Sequence, residues 1–176
     1  MSSIIKVDQI QLADGSTPTA GDLGLNVTGG VLQVVSSTRN TAYSTTSTSY
    51  VSPDGLSVSI TPSSTANKML IIFEGKGGSA TGNGLYLRLE RDGTGINLAS
   101  GQTFGQEVNI PVSPDQNRHY HSADMMYLDS PATTSAITYR VALASSGGGQ
   151  VTLNTRQLIP STAIGTSTIT VMEIAG

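Results

Sequence analysis

The stretch that decides the fold class runs from Thr41 to Ser63, TAYSTTSTSYVSPDGLSVSITPS. Its first part is rich in hydroxyl side chains, and residues 56–60 alternate apolar and hydroxyl side chains, which is typical of a half-buried strand. Between them, SPDG at positions 52–55 is a turn signal, because proline fixes φ and glycine tolerates positive φ. We predict a β-hairpin here, and a hairpin needs further strands to cover its apolar face.

Further strand signals recur to the end of the chain. They lie at Val31–Val35, Lys68–Glu74, Leu85–Arg91, Gly95–Leu98, Glu107–Ile110, His119–Leu128, Ala136–Ala144, Val151–Arg156 and Thr166–Ile174. Lys68–Glu74 is the most continuous apolar run, which predicts a central strand buried on both faces. His119–Leu128 and Ala136–Ala144 are predicted to pair with each other, and residues 75–84 are predicted to form a loop. Asp92-Gly93 predicts a hairpin turn into Gly95–Leu98.

No window of ten or more residues shows an apolar stripe with helical spacing and caps. Many short strands separated by turn signals favour an all-β, antiparallel two-sheet sandwich. We predict a jelly-roll-like sandwich with an extended N-terminal arm. An immunoglobulin-like sandwich is the alternative, although it normally has fewer strands over fewer residues.

The first 29 residues differ from the rest of the chain. Their apolar side chains are Ile4, Ile5, Val7, Ile10 and Leu12. A turn is predicted at Asp14-Gly15, and a glycine- and threonine-rich stretch follows. Ile5 and Val7 fall on one strand parity and Ile10 and Leu12 on the other, so a one-sided strand is not predicted. We predict a docking arm and linker over residues 1–29 and a β-sandwich domain over residues 30–176. In the alternative interpretation, the arm is buried in its own domain.

The composition excludes several classes of function. Charged residues make up 12% of the chain and the net charge is −3, with no basic stripe to neutralise phosphates, so we expect no nucleic-acid partner. The absence of cysteine excludes disulfides, thiol catalysis and thiolate metal sites. We expect neither a secretory signal nor membrane insertion, because no apolar run approaches the length of a membrane span.

His119 and His121 are the best candidates for metal ligands, because residues i and i+2 of a strand point to the same side. A zinc site needs at least a third ligand, such as Glu107 or Asp124, and neither stands at a diagnostic spacing. We therefore expect exposed or interface histidines and no metal or cofactor. In a trimer, the two histidines would lie near the axis.

Acidic residues are the remaining candidates for catalysis, since glycoside hydrolysis needs an acid and a base on either side of one bond. They are Glu74, Glu90, Glu107 and Asp124. Glu90 alternates with leucines beside Arg88 and Arg91, which indicates a solvated strand face with balanced charge. No nucleophile elbow or phosphate-binding loop is present. We therefore expect no enzymatic activity.

Several segments resemble proteins of bacteriophage particles. The segment from Ile4 to Gly15, IIKVDQIQLADG, resembles the N-terminal segment of structural proteins of tailed bacteriophages, especially those of cyanobacteria and marine bacteria. Residues 30–35, 43–51, 55–62 and 67–72 resemble a β-rich module of phage tail-fibre and virion surface proteins. The resemblance implies a non-enzymatic virion component, usually trimeric, that docks through its N-terminal segment.

We therefore predict a trimeric capsid decoration (cement) protein on the virion surface, assembled in the host cytoplasm. Its partners would be further copies of itself and the major capsid protein or another virion protein. A short tail-fibre or receptor-binding protein that contacts a host surface glycan or protein is the alternative, although no long shaft is present. A carbohydrate-binding jelly roll is a third class, against which the 5% aromatic content without tryptophan counts.

Overall fold

The computed structural model describes residues 10–18, 28–80, 83–102, 105–108, 121–155, 162 and 165–176. Within these ranges the chain forms strands and no helix, so none of them contains a helix that could cross a membrane. The strands are β1 (Val31–Arg39), β2 (Tyr43–Thr45), β3 (Ser57–Ile60), β4 (Lys68–Glu74), β5 (Lys76–Ser79), β6 (Leu85–Arg91), β7 (Thr94–Ile96), β8 (Gln106–Val108), β9 (His121–Ser122), β10 (Met125–Asp129), β11 (Ile137–Ser145), β12 (Val151–Leu153) and β13 (Ser167–Ile174). All their pairings are antiparallel.

The strands form three sheets that make two layers. One sheet has the order β1-β13-β4-β10, and a second has the order β2-β12-β5-β9. Strands at the same position in the two orders are consecutive in the chain, namely β1 and β2, β13 and β12, β4 and β5, and β10 and β9. These two sheets form the first layer. The second layer has the order β3-β11-β6-β7, with β8 also paired to β6. The predicted all-β, antiparallel fold class is confirmed, and the arrangement is consistent with a sandwich, although it has three sheets where two were predicted.

A junction at Gly75 joins the two sheets of the first layer. The Gly75 N–H donates to the Asp124 carboxylate at 3.1 Å, and its carbonyl accepts from the Ala123 N–H at 2.9 Å. A Cβ atom at Gly75 would lie 2.5 Å from the Phe73 ring and 2.7 Å from the Ser167 hydroxyl. Glycine is therefore required where β4 passes into β5, and the predicted loop over residues 75–84 is wrong in its first half.

The core lies between the two layers. β4 and β13 of the first layer contribute Met69, Ile71, Phe73, Ile169 and Val171, and β6 and β11 of the second contribute Leu85, Leu87, Leu89, Tyr139, Val141 and Leu143. In β4 and β13 they alternate along the strand with less buried residues, whereas in β6 and β11 the neighbouring Glu90, Ala142 and Ala144 are buried as well. The central position of β4 is also confirmed, but Leu70 and Ile72 on its other side are only half-buried, so its predicted burial on both faces is wrong.

Two predicted strand pairings are wrong. β2 pairs with β12 and β3 pairs with β11, so the strands on either side of the turn at Asp54 and Gly55 belong to different layers. In the same way, β10 pairs with β4 and β11 pairs with β6. Both turns are corners at which the chain crosses between layers. This alternation is compatible with the jelly-roll prediction, in which strands close in sequence are seldom neighbours.

The turn after β6 is a true hairpin. Asp92 and Gly93 have φ values of 48° and 83°, and β6 then pairs with β7. Asp-Gly favours this type of turn because both central residues need positive φ. The hairpin predicted from Asp92-Gly93 is confirmed.

The carboxylate of Glu173 connects the start of β1, the end of β13 and the loop before β4. It is buried and accepts hydrogen bonds from the Ser63 N–H and Asn67 amide at 2.6 Å each, the Ser63 hydroxyl at 2.8 Å and the Gln33 amide at 2.6 Å. Burial by itself raises the pKa of Glu173, but the hydrogen bonds from Asn67, Gln33 and Ser63 outweigh it and hold the pKa below its ordinary value.

A lowered folded-state pKa means that Glu173 contributes stability that is present above its unfolded-state pKa of about 4.3 and is lost as the pH falls through the folded-state value. We expect the free energy of unfolding of the wild type to fall more steeply on acidification below about pH 4.3 than that of Glu173→Gln. Urea denaturation at a series of pH values measures both slopes. Equal slopes would contradict this account of Glu173.

Candidate interaction surface

The outward side of the β1-β13-β4-β10 sheet carries apolar side chains on all four strands. The residue register of the four strands aligns one row as Val34, Met172, Leu70 and Leu128, and a second as Ser36, Thr170, Ile72 and Met126. A third row pairs Val31 with Ile174. We call this surface the outer face; its apolar side chains are Val31, Leu32, Val34, Leu70, Ile72, Met126, Leu128, Met172 and Ile174.

Most of the exposed large apolar side chains in the described residues lie on the outer face. Six large apolar side chains of the described residues are exposed, and five of them, Val31, Leu32, Val34, Met126 and Leu128, belong to this surface with exposed fractions of 46–69%. Single exposed apolar residues are normal on a protein surface, whereas a contiguous patch marks a contact with another molecule. The outer face is therefore the candidate interaction surface of this chain.

Two local features of the sequence create the outer face. β4 is apolar at five successive positions, so that when Met69, Ile71 and Phe73 enter the core, Leu70 and Ile72 must point outward. In β1 the register with β13 shifts between Val31 and Gln33, as at a β-bulge, and the successive residues Val31 and Leu32 are both exposed there.

Charged residues stand at the two ends of the outer face. Lys68 begins β4 and Glu74 ends it, and both are exposed on the same side of the strand as Leu70 and Ile72. The rows between them contain no charged side chain in these fully described strands. Near the acidic end, Thr38 and Thr168 join their hydroxyls at 2.9 Å.

A shallow depression of ≈ 240 Å³ lies beside the acidic end and is lined by Glu74, Gly75, Lys76, Ser122, Asp124 and Thr166. Asp124 accepts from the Gly75 N–H at 3.1 Å and from the Ser122 hydroxyl at 2.7 Å, so both of its oxygens are bonded within the protein. The described part of the chain contains no group of three His, Cys, Asp or Glu side chains that could hold a metal ion.

The histidines predicted near a trimer axis are only partly within the described residues. His121 lies half-buried in β9, where it pairs with Gly77 at an edge of the first layer. His119 lies outside the described residues. Their place near a trimer axis therefore stays a prediction.

The docking arm is also described only in part. Ile10 has an exposed fraction of 50% and Leu12 is half-buried, while Ile4, Ile5 and Val7 lie outside the described residues. The Leu12 carbonyl accepts from the Gly15 N–H at 2.9 Å and Gly15 has a φ of 84°, which confirms the turn predicted at Asp14-Gly15. The division of the chain at residues 29 and 30 remains a prediction.

The acidic candidates lie in different parts of the fold. Glu74 and Asp124 are in the first layer, Glu90 is in the second, and Glu107 belongs to β8. The prediction that Glu90 is solvated is wrong, because its side chain is buried and forms ion pairs with Arg88 and Arg140. Arg88 in turn stacks on Tyr50, with 3.9 Å from the guanidinium carbon to the ring centroid.

The sequence interpretation did not single out the outer face. The signal was present in β4, whose apolar run was assigned to burial on both faces, and in Met172 and Ile174, which alternate with the core residues of β13. A strand that is apolar on both sides either has both sides covered within its own domain or has one side covered by another molecule. Sequence alone does not distinguish these two cases.

Comparison with known proteins adds little to this description. No family model matches the chain, and no curated protein sequence matches it. Among solved structures, a chain from "Structure of infectious bursal disease virus Gx strain" is similar, with 12% sequence identity and a TM-score of 0.39. The match covers 82% of this chain and 37% of the viral one. The fold assignment therefore rests on the strand pairings described above.

Proposed function

We propose that this chain is a non-enzymatic structural protein of a virus particle, and specifically a trimeric capsid decoration protein of a tailed bacteriophage. The observation that carries the proposal is the outer face, an apolar surface that the described part of the chain leaves in contact with water. A protein with such a surface is stabilised by assembly, since burying apolar area is favourable. The resemblance of residues 4–15 and 30–72 to phage virion proteins supports the particle as the place of assembly.

The N-terminal arm has a separate role in this proposal. Ile4, Ile5, Val7, Ile10 and Leu12 would lie in a groove of the major capsid protein or of another virion protein. Full burial of one such side chain contributes about 1.5–3 kcal/mol before the cost of ordering the arm is subtracted. Three arms in one trimer would act together, so that their combined affinity exceeds that of one arm.

A short tail-fibre protein is the second candidate. It is favoured by the resemblance of residues 43–51 to tail-fibre modules, and it would place the same fold at the tail, in contact with a host surface glycan or protein. The two candidates differ in position on the particle. Labelling this chain in imaged virions distinguishes head from tail.

The arm is tested by its apolar side chains. We expect a full-length variant with Ile4, Ile5, Val7, Ile10 and Leu12 replaced by serine to bind particles that lack the protein at least about 100-fold more weakly than the wild type. Deletion of residues 2–25 should have the same effect. Binding is measured by cosedimentation of labelled protein with the particles.

The matched control replaces polar residues of the same segment, Lys6, Asp8, Gln9 and Gln11, by serine. This variant should bind like the wild type, because it keeps every apolar side chain of the arm. If the apolar-to-serine variant binds particles as well as the wild type does, the arm is not the anchor and the sandwich domain must carry the contact.

A further inference from the structure

We propose that the outer face is a contact between two copies of this chain, which pack face to face about a two-fold axis perpendicular to β4. The inference concerns self-association and holds whether or not the chain belongs to a virus particle. It follows from the size of the outer face, from the positions of its charged ends and from the order of its rows.

The size of the outer face suits a small specific interface. Four strands about 4.8 Å apart and seven residues at about 3.3 Å each give a plane of roughly 19 by 23 Å. This plane is about half of the ~800 Å² per partner of a standard interface before side-chain relief is added, which corresponds to a small contact. We therefore expect reversible association at micromolar concentrations.

The charged residues at the two ends of the outer face favour a second copy of this chain as the partner, in one orientation. Lys68 and Glu74 are six residues apart, or about 20 Å along β4, with Ile71 midway between them. A two-fold axis in the plane of the interface, at the level of Ile71 and perpendicular to the strand, places Lys68 of each copy opposite Glu74 of the other. An axis parallel to the strand would instead put like charges at the same level. The outer face is thus complementary to itself in one orientation.

The same axis also aligns the apolar rows. It stacks the row of Val34, Met172, Leu70 and Leu128 on the partner's row of Ser36, Thr170, Ile72 and Met126, in that order. Larger side chains of one row thereby face smaller ones of the other at Val34 and Met172, which lets two sheets about 10 Å apart interdigitate. Each such contact occurs twice, as an isologous interface requires.

The test measures the association of the full chain by analytical ultracentrifugation over a concentration series up to about 100 μM. With the two-fold contact alone, we expect a mass twice the monomer's 18.1 kDa, and with an additional three-fold contact a hexamer of six times that mass. A monomer throughout the series, or a species of three times 18.1 kDa, overturns the proposal. The trimer result would still agree with the proposed function, so the two can fail separately.

Apolar contact is tested with Met126→Glu, which replaces the most exposed apolar side chain of the outer face, in its edge strand β10, by a carboxylate. It should raise the dissociation constant at least about 100-fold, because each copy would bury an unpaired carboxylate. Ser57→Glu is the matched control, since it adds the same charge at an exposed position of β3 in the second layer and should leave association unchanged. Association that survives Met126→Glu overturns the proposal.

The orientation is tested by exchanging charges. Lys68→Glu alone and Glu74→Lys alone should each weaken association about tenfold, because each creates two like-charge contacts per dimer. The double variant Lys68→Glu with Glu74→Lys should return to within about threefold of the wild type. Circular dichroism establishes that each variant is folded. Absence of rescue in a folded double variant overturns the two-fold arrangement.

Discussion

Replacement of Phe73 by alanine is expected to lower the free energy of unfolding by about 3–5 kcal/mol. The Phe73 side chain is fully buried in β4, and Gly75 at the junction packs directly against its ring. The loss combines the transfer free energy of the ring with the cost of the cavity. Since small domains unfold at about 5–15 kcal/mol, the variant would be close to the limit of folding.

Ile72→Ala is the matched control, because it truncates the adjacent residue of the same strand on the other side. Its side chain is only half-buried on the outer face, so the expected loss is no more than about 1 kcal/mol. Urea denaturation at low protein concentration, where copies are separate, measures both variants. Similar losses for Phe73→Ala and Ile72→Ala would contradict the assignment of inner and outer sides to β4.

The second large effect is expected at Asp129, which connects the two layers by polar contacts. Its buried carboxylate in β10 accepts from the Tyr139 hydroxyl of β11 and from Arg91 of β6, each at 2.7 Å. Burial and the hydrogen bond to Asp129 raise the pKa of Tyr139, so the phenol remains protonated and donates. Asp129→Ala would remove the acceptor of the fully buried Tyr139 hydroxyl and the carboxylate partner of Arg91.

We expect Asp129→Ala to lower the free energy of unfolding by about 2–4 kcal/mol, since the buried Tyr139 hydroxyl loses its acceptor and the half-buried Arg91 loses its ion-pair partner. Tyr139→Phe should lower it by only about 1 kcal/mol, because the ring still fills its place and Asp129 keeps Arg91. Urea denaturation of both single variants and the double variant gives the coupling between them. A loss of stability in Tyr139→Phe equal to that in Asp129→Ala would show that the carboxylate is not the centre of this contact.

The sequence alone determined most of the strands and one of the hairpins. Strand signals at Leu85–Arg91 and Thr166–Ile174 predicted β6 and β13, and Asp92-Gly93 predicted its hairpin. These features are local, since the period of two residues along a strand and the φ values of a tight turn depend on neighbouring residues only. The all-β fold class followed from their repetition.

Only the tertiary structure decided which strands are neighbours and which apolar side chains stay uncovered. β2 and β3, like β10 and β11, follow each other in the chain but pair elsewhere, because a turn between layers and a hairpin turn need similar residues. Glu90 could not be recognised as buried, since Arg140, its partner across the sheet, is 50 residues away in the chain. In the same way, Leu70 and Ile72 belong to the outer face and not to a second core because the described part of the chain places no layer over them. Pairing and covering depend on residues distant in sequence, and the local pattern of a strand carries no information about them.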